Sequence, residues 1–258
     1  MKKNDKTFGT SGLRRSSHHR HIDAGKLLDA ETPFAIREAY VQLRTNLMFS
    51  VAADENKGGR IFAVTSSNPE EGKSLTASNL AISFAMMGKK TLLIDCDMRK
   101  PTIHKLWNVE LTGGVSNLLA EVGETSFHTV SEIPLTVLSA GDIPPNPSEL
   151  LTSARFGTML ENFRTEYEYI IIDTPPVNRV ADAQIIARRA DGTLIVVNSG
   201  KTQKYELMQT LETLKKSETK VCGIVVNRVN AKMAKKSGYY KNYRYDYYAY
   251  KDYSEINM

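Results

Sequence analysis

A chain of 258 residues, 41% of them apolar, can enclose one sizeable core, and a net charge of +5 is too small to demand a nucleic acid or a membrane surface as partner. No apolar run is long enough to span a bilayer and no apolar segment near the N-terminus reads as a secretory leader, so a cytoplasmic location is expected. The two cysteines, Cys96 and Cys222, lie within apolar runs, which suits small buried thiols in a reducing compartment better than a disulfide framework.

Residues 1–33 are polar and basic, with Arg14-Arg15 and the cluster His18-His19-Arg20-His21, and read as a flexible arm. The histidines have no cysteine or carboxylate beside them at ligand spacing, which favours a solvated arm over a metal site. From Pro33 onward, Phe34, Ile36, Tyr40, Leu43, Leu47 and Met48 recur along one helical side, with Arg37, Glu38 and Arg44 on others. A helix is predicted here, ending before the polar stretch 54–59.

The apolar run Ile61–Val64 predicts a buried strand. It leads through Thr65-Ser-Ser67-Asn-Pro-Glu-Glu-Gly72 into Lys73-Ser74 and a helical pattern through Leu75, Leu80, Ile82, Phe84 and Met87. Strand, tight loop, Gly-Lys-Ser and helix form the context of a phosphate loop, in which backbone N–H groups and a helix N-terminus face polyphosphate. In such a loop Lys73 serves the β/γ-phosphates and Ser74 a Mg²⁺ ion. Ser67 stands at the motif's first glycine, and Glu70 where a glycine would ease close backbone approach.

Gly88 and Lys89-Lys90 close that helix, and the strand Thr91–Ile94 delivers Asp95 and Asp97 at its C-terminal end. Carboxylates two residues apart at a strand end project to one side, toward what the phosphate loop holds. Short helices are predicted near 102–107 and 115–121, an extended piece at 135–139, and a helix start at Pro147 after the Pro144-Pro-Asn-Pro147 turn. A helix over 154–167 leads into Tyr169-Ile-Ile-Ile-Asp173, a buried strand ending in an acid that can order Mg²⁺ through water. Helices at 181–190 and 203–216 alternate with strands at 193–197 and 221–226. The last strand ends at Asn227, whose amide suits either an adenine edge or a turn.

Beyond residue 232 the composition changes. Tyr239, Tyr240, Tyr243, Tyr245, Tyr247, Tyr248, Tyr250 and Tyr253 are eight of the chain's twelve tyrosines, set among Lys241, Arg244, Lys251, Asp246, Asp252 and Glu255. With no aliphatic period, this stretch reads either as an aromatic tail that stacks on a partner or as a row of phosphoryl acceptors. Each phosphate adds about −1.5 to −2 charges, enough in sum to make or break an assembly.

The phosphate loop, the strand Leu92–Asp97 followed by Met-Arg-Lys-Pro101, the strand Ile170–Asp173 followed by Thr-Pro-Pro176, the run Pro144–Leu150 and the tyrosine tail together resemble the bacterial tyrosine kinases of capsule and exopolysaccharide synthesis. These are relatives of the cell-division and partition ATPases. The resemblance covers Pro33 to the C-terminus. It implies an α/β P-loop NTPase fold with a mostly parallel central sheet flanked by helices. The organisation is a basic arm over 1–33, a kinase domain over 34–232 and a phosphoacceptor tail over 233–258.

The implied activity is ATP- and Mg²⁺-dependent protein-tyrosine phosphorylation, with autophosphorylation in trans of the tail tyrosines inside a ring of identical subunits. The implied partners are a transmembrane polysaccharide co-polymerase, whose cytoplasmic tail activates the kinase and recruits it to the inner face of the plasma membrane, and a cognate phosphotyrosine phosphatase; no nucleic acid is expected. By the same resemblance, Ser67, Asn68, Glu71, Gly72, Lys73, Ser74, Leu75 and Asn227 would bind nucleotide. Asp95 would take the tyrosine proton, Lys73 and Asp97 would share in catalysis, and Ser74, Asp97 and Asp173 would hold the metal. The family's subunit-contact helix carries Glu, Arg and Arg at intervals of three; Glu38 and Arg44 match, while Val41 replaces the middle arginine and weakens the expectation of a ring. Glu70 places an extra anion near the phosphates. The alternatives are a switch ATPase without protein substrate, whose extra loop lysine is Asn68 here, and a nucleic-acid-binding module, for which no fold pattern is present.

Overall fold

The computed structural model describes residues 27–51 and 58–229. The first 26 residues of the expected arm, and the tail with the eight tyrosines Tyr239 to Tyr253, lie outside the described residues. In chain order the elements are α1 (Phe34–Ser50), β1 (Arg60–Ser66), α2 (Lys73–Ala85), β2 (Thr91–Asp95), α3 (Ile103–Trp107), α4 (Val115–Ala120), β3 (His128–Val130) and β4 (Leu135–Leu138). There follow α5 (Pro147–Thr152), α6 (Ala154–Glu166), β5 (Tyr169–Asp173), α7 (Asp182–Ala187), β6 (Gly192–Asn198), α8 (Lys204–Lys216) and β7 (Val221–Asn227).

The seven strands form one sheet in the order β3-β4-β2-β5-β1-β6-β7, parallel throughout except for β3, which runs antiparallel to β4. The inner strands are near-continuous apolar runs because helices cover both faces. Ile61, Ala63, Leu92, Ile94, Ile170 and Ile172 point to the face covered by α4 to α8. Phe62, Val64, Leu93 and Ile171 point to the opposite face, beneath α1, α2 and α3. Nearly every residue of α2 is buried, for the helix is enclosed by the sheet, α1 and α3. Small residues such as Ala77, Ser78 and Ala81 allow that close approach.

Three expectations change, and one strand appears that no expectation covered. Leu27 and Leu28, assigned to the arm, are buried against the core, and the Leu28 N–H donates to Asn79 Oδ1 at 2.9 Å. On α1, Phe34 and Ile36 of the predicted apolar side are half exposed, while Arg44 from the polar side donates to the Ser83 carbonyl of α2 at 2.6 Å. Cys222 is only partly buried because β7 is an edge strand, whereas Cys96 is sealed in the core. The three-residue β3 carries no apolar alternation and has no counterpart in the sequence pattern. Among the described residues no helix is long and apolar enough to cross a membrane.

Candidate nucleotide site

The parallel topology brings the C-terminal ends of β1, β2, β5, β6 and β7 to one rim. The phosphate loop leaves β1 there and enters α2 through Gly72, whose φ of 94° and whose neighbour Asn227 Nδ2, 2.0 Å from any added Cβ, leave room for glycine alone. Glu70 occupies the left-handed region at φ 63° and is exposed. The glycine-like position inferred for it is real, and a side chain fills it by turning to solvent.

Register places Asp95 directly opposite Asp173 on neighbouring strands, so both acids end side by side. Lys73 lies between carboxylates, with Nζ 2.9 Å from Asp97 Oδ2 and 3.3 Å from Asp173 Oδ2, and it also donates to Ser74 Oγ at 3.2 Å. Burial alone would lower the Lys73 pKa, but the Asp173 and Asp97 charges outweigh it and raise it. Asp173 is itself pushed up by burial, against the pull of Lys73 and of the Ser74 hydroxyl.

Asp95 meets different groups from Asp97. Its Oδ1 accepts the Asp97 N–H at 3.0 Å, and its Oδ2 accepts the N–H groups of Thr102 and Ile103 at 3.1 and 3.0 Å, which caps the start of α3. Burial, and next the Asp173 charge, nonetheless raise its pKa. Asp97 Oδ1 accepts the Lys100 N–H at 3.1 Å. The pair expected to project together thus divides its work, Asp97 meeting Lys73 and Asp95 fastening the turn that follows.

The other site residues are drawn to the same rim. Ser67 is buried and accepts from Thr210 Oγ1 at 2.9 Å. Asn68 donates its N–H to Glu71 Oε2 at 2.9 Å, and its side-chain oxygen faces Arg179 Nη2 at 3.5 Å. Leu75 packs partly buried against the core. Asn227 donates to the Glu71 carbonyl at 2.9 Å and accepts from the Arg228 N–H at 2.8 Å, so its amide braces the phosphate loop.

Three groups found here were not inferred from the sequence: Thr202, whose hydroxyl meets Glu71 across 131 positions, Thr210, and the cluster of Arg99, Ser148 and Asp182. Arg99 Nε lies 2.7 Å from the buried Asp182, to which Ser148 also donates, fixing the turn after Asp97 to α5 and α7. Contacts across such separations leave no mark in local pattern.

Hard oxygen donors from Ser74, Asp97 and Asp173 converge on one ammonium. The arrangement favours a cation, and the donor set is of the kind Mg²⁺ takes. The N-terminus of α2, entered through Gly72, is of the kind that receives an anion.

The model of the AAA domain matches residues 59–225. The chain is 40% identical over 205 residues to tyrosine-protein kinase YwqD of Bacillus subtilis (strain 168), covering 79% of this chain and 85% of that one. It is 38% identical over 211 residues to tyrosine-protein kinase CpsD of Streptococcus agalactiae, covering 80% and 89%. The solved structure of the chimerical protein CapA2B2 aligns with a TM-score of 0.74 at 38% identity, over 80% of this chain and 90% of that one. With a phosphate loop on a parallel sheet and relatives of this kind over most of its length, the chain belongs to the bacterial tyrosine kinases and is a protein-tyrosine kinase on a P-loop nucleotide-binding fold.

Proposed function

We propose that this kinase phosphorylates its own C-terminal tyrosines, Tyr239 to Tyr253, in trans, and that the resulting charge regulates capsule or exopolysaccharide synthesis. The observation that carries the reading is the joining of the phosphate loop and three strand-end carboxylates to a tail dense in acceptor hydroxyls. Lys73 leaves its carboxylate partners for the β/γ-phosphates, and the loop N–H groups orient them. Asp95, its proton affinity raised by burial, takes the tyrosine proton. Ser74, Asp97 and Asp173 would hold Mg²⁺, which when bound neutralises phosphate charge. Phosphoryl transfer is mainly positioning and charge stabilisation, so the rigid rim is the larger part of the device.

In this reading the partners are the cytoplasmic tail of a membrane polysaccharide co-polymerase, which brings the kinase to the inner face of the membrane, a phosphotyrosine phosphatase, and further copies of the chain. The deciding experiment is intact mass spectrometry after incubation with ATP and Mg²⁺, with and without the activator's tail, beside Lys73→Met. Phosphates confined to Tyr239–Tyr253 and lost in the variant support the proposal. ATP hydrolysis with no phosphotyrosine under either condition replaces it with the switch ATPase.

A further inference from the structure

The phosphate loop carries a buried carboxylate of its own, and every oxygen of that residue is tied down. Glu71 Oε1 accepts from Thr202 Oγ1 at 2.5 Å, Oε2 from the Asn68 N–H at 2.9 Å, and the carbonyl from Asn227 Nδ2 at 2.9 Å. Thr202 Oγ1 in turn accepts the Asn198 N–H at 2.8 Å, which leaves its single proton for Glu71. Asn198 and Asn227 end β6 and β7, and the Ser199 N–H donates to the Asn227 carbonyl at 2.9 Å, so the anchors form one frame.

Charge alone argues against a carboxylate in an anion-binding loop. Geometry supplies its use. The neighbouring Glu70 is held at φ 63°, a conformation that persists in a non-glycine residue only where the surroundings fix it, and the Glu71 contacts are that fixture. We propose that Glu71 and Thr202 form a latch that sets the phosphate loop in its anion-receiving shape before nucleotide arrives, making both of them positioning residues for ATP. The latch rests on the reading of this loop as the nucleotide site. Without it, ordering of the loop is drawn from the binding energy of the nucleotide. The effect therefore falls on affinity and not on the chemical step.

The test is calorimetric titration of the full chain with Mg²⁺-ADP, together with KM for ATP and kcat, for Thr202→Val, Thr202→Ser, Glu71→Ala and the double variant Thr202→Val/Glu71→Ala. Loss of the Thr202 hydroxyl should weaken ADP about tenfold, the scale of one buried hydrogen bond, with KM rising in parallel and kcat held. Thr202→Ser should bind within about twofold of the parent. In the Glu71→Ala background the Thr202→Val change should shrink to about twofold or less, because the two residues act as one unit. Equal losses in both backgrounds, an unchanged ADP affinity, or a fall in kcat at constant KM overturns the latch. Thr202→Ala gives the same comparison should the valine variant not fold. Failure of the parent chain to bind ADP overturns the nucleotide reading and the latch together, whereas ADP binding without tyrosine phosphorylation bears only on the autophosphorylation reading.

Discussion

The ammonium of Lys73 lies 2.9 Å from Oδ2 of Asp97, joining the phosphate loop to the end of β2. One cation therefore serves carboxylates that nucleotide phosphates must displace. Lys73→Met is expected to lose at least about 10³-fold in tyrosine phosphorylation, on the scale of losing a preorganised charge at the reacting group. Asp95→Ala should lose less, since positioning outweighs proton removal in this chemistry. Initial rates of phosphotyrosine formation rank the two variants, and the reverse order would remove Lys73 from the leading role.

Stability should depend on pH in a direction set by the buried acids. Burial lifts Asp95 to about 7, above the value of about 4 in an unfolded chain. Between those values the folded chain keeps a proton that the unfolded chain has released, so the contribution is complete below about pH 4 and is withdrawn as pH rises through 7. Asp173 shifts in the same direction. Melting temperatures should fall more steeply between about pH 4 and 7 in the parent than in Asp95→Asn; parallel curves would show that Asp95 ionises as an ordinary carboxylate.

Glu70→Gly should relieve the left-handed conformation, worth about 1 kcal/mol per residue, offset in part by the added freedom of glycine in the unfolded chain. It also removes an exposed anion from the rim. Melting temperature should hold or rise and KM for ATP should fall modestly. A clear loss of stability would mean that the Glu70 side chain makes a contact worth more than the strain.

Far from the rim, Arg164 is buried between the Gly59 carbonyl and Asp191, whose Oδ2 also accepts the Ile61 N–H at 2.8 Å and so fixes the start of β1. Arg164→Met leaves a mostly buried carboxylate without its ion pair and should destabilise the fold by about 3–5 kcal/mol in denaturant titration. Turnover per folded molecule should be unaffected. A variant as stable as the parent would mark the pair as energetically idle.

All strands but the short β3 were legible because a parallel sheet covered on both faces writes long apolar runs, and Asp95 and Asp173 because the runs of β2 and β5 stop at them. The phosphate loop was legible from Gly72-Lys73-Ser74 set between an apolar strand and a helical pattern, with strand-end acids downstream, and not from those three residues alone. The place of Asn227 at the rim could be read, but its brace to Glu71 could not, since nothing local distinguishes a bracing amide from a turn residue. Leu27 and Leu28 were missed because two apolar residues make no period, and Arg44 because an amphipathic stripe does not foretell a second helix lying across its polar side. Thr202 meets Glu71 only through the whole sheet, beyond the reach of any window.

Asn227 holds the phosphate loop at the point where the chain leaves the sheet. Ten residues lie between Arg228 and Tyr239, so eleven chain steps of at most about 40 Å lead from beside the nucleotide site to the first tail tyrosine. By length alone each tail tyrosine proposed as an acceptor can return to the site of its own chain. The proposed transfer between molecules therefore needs crowding and orientation among neighbours to favour it, because distance does not.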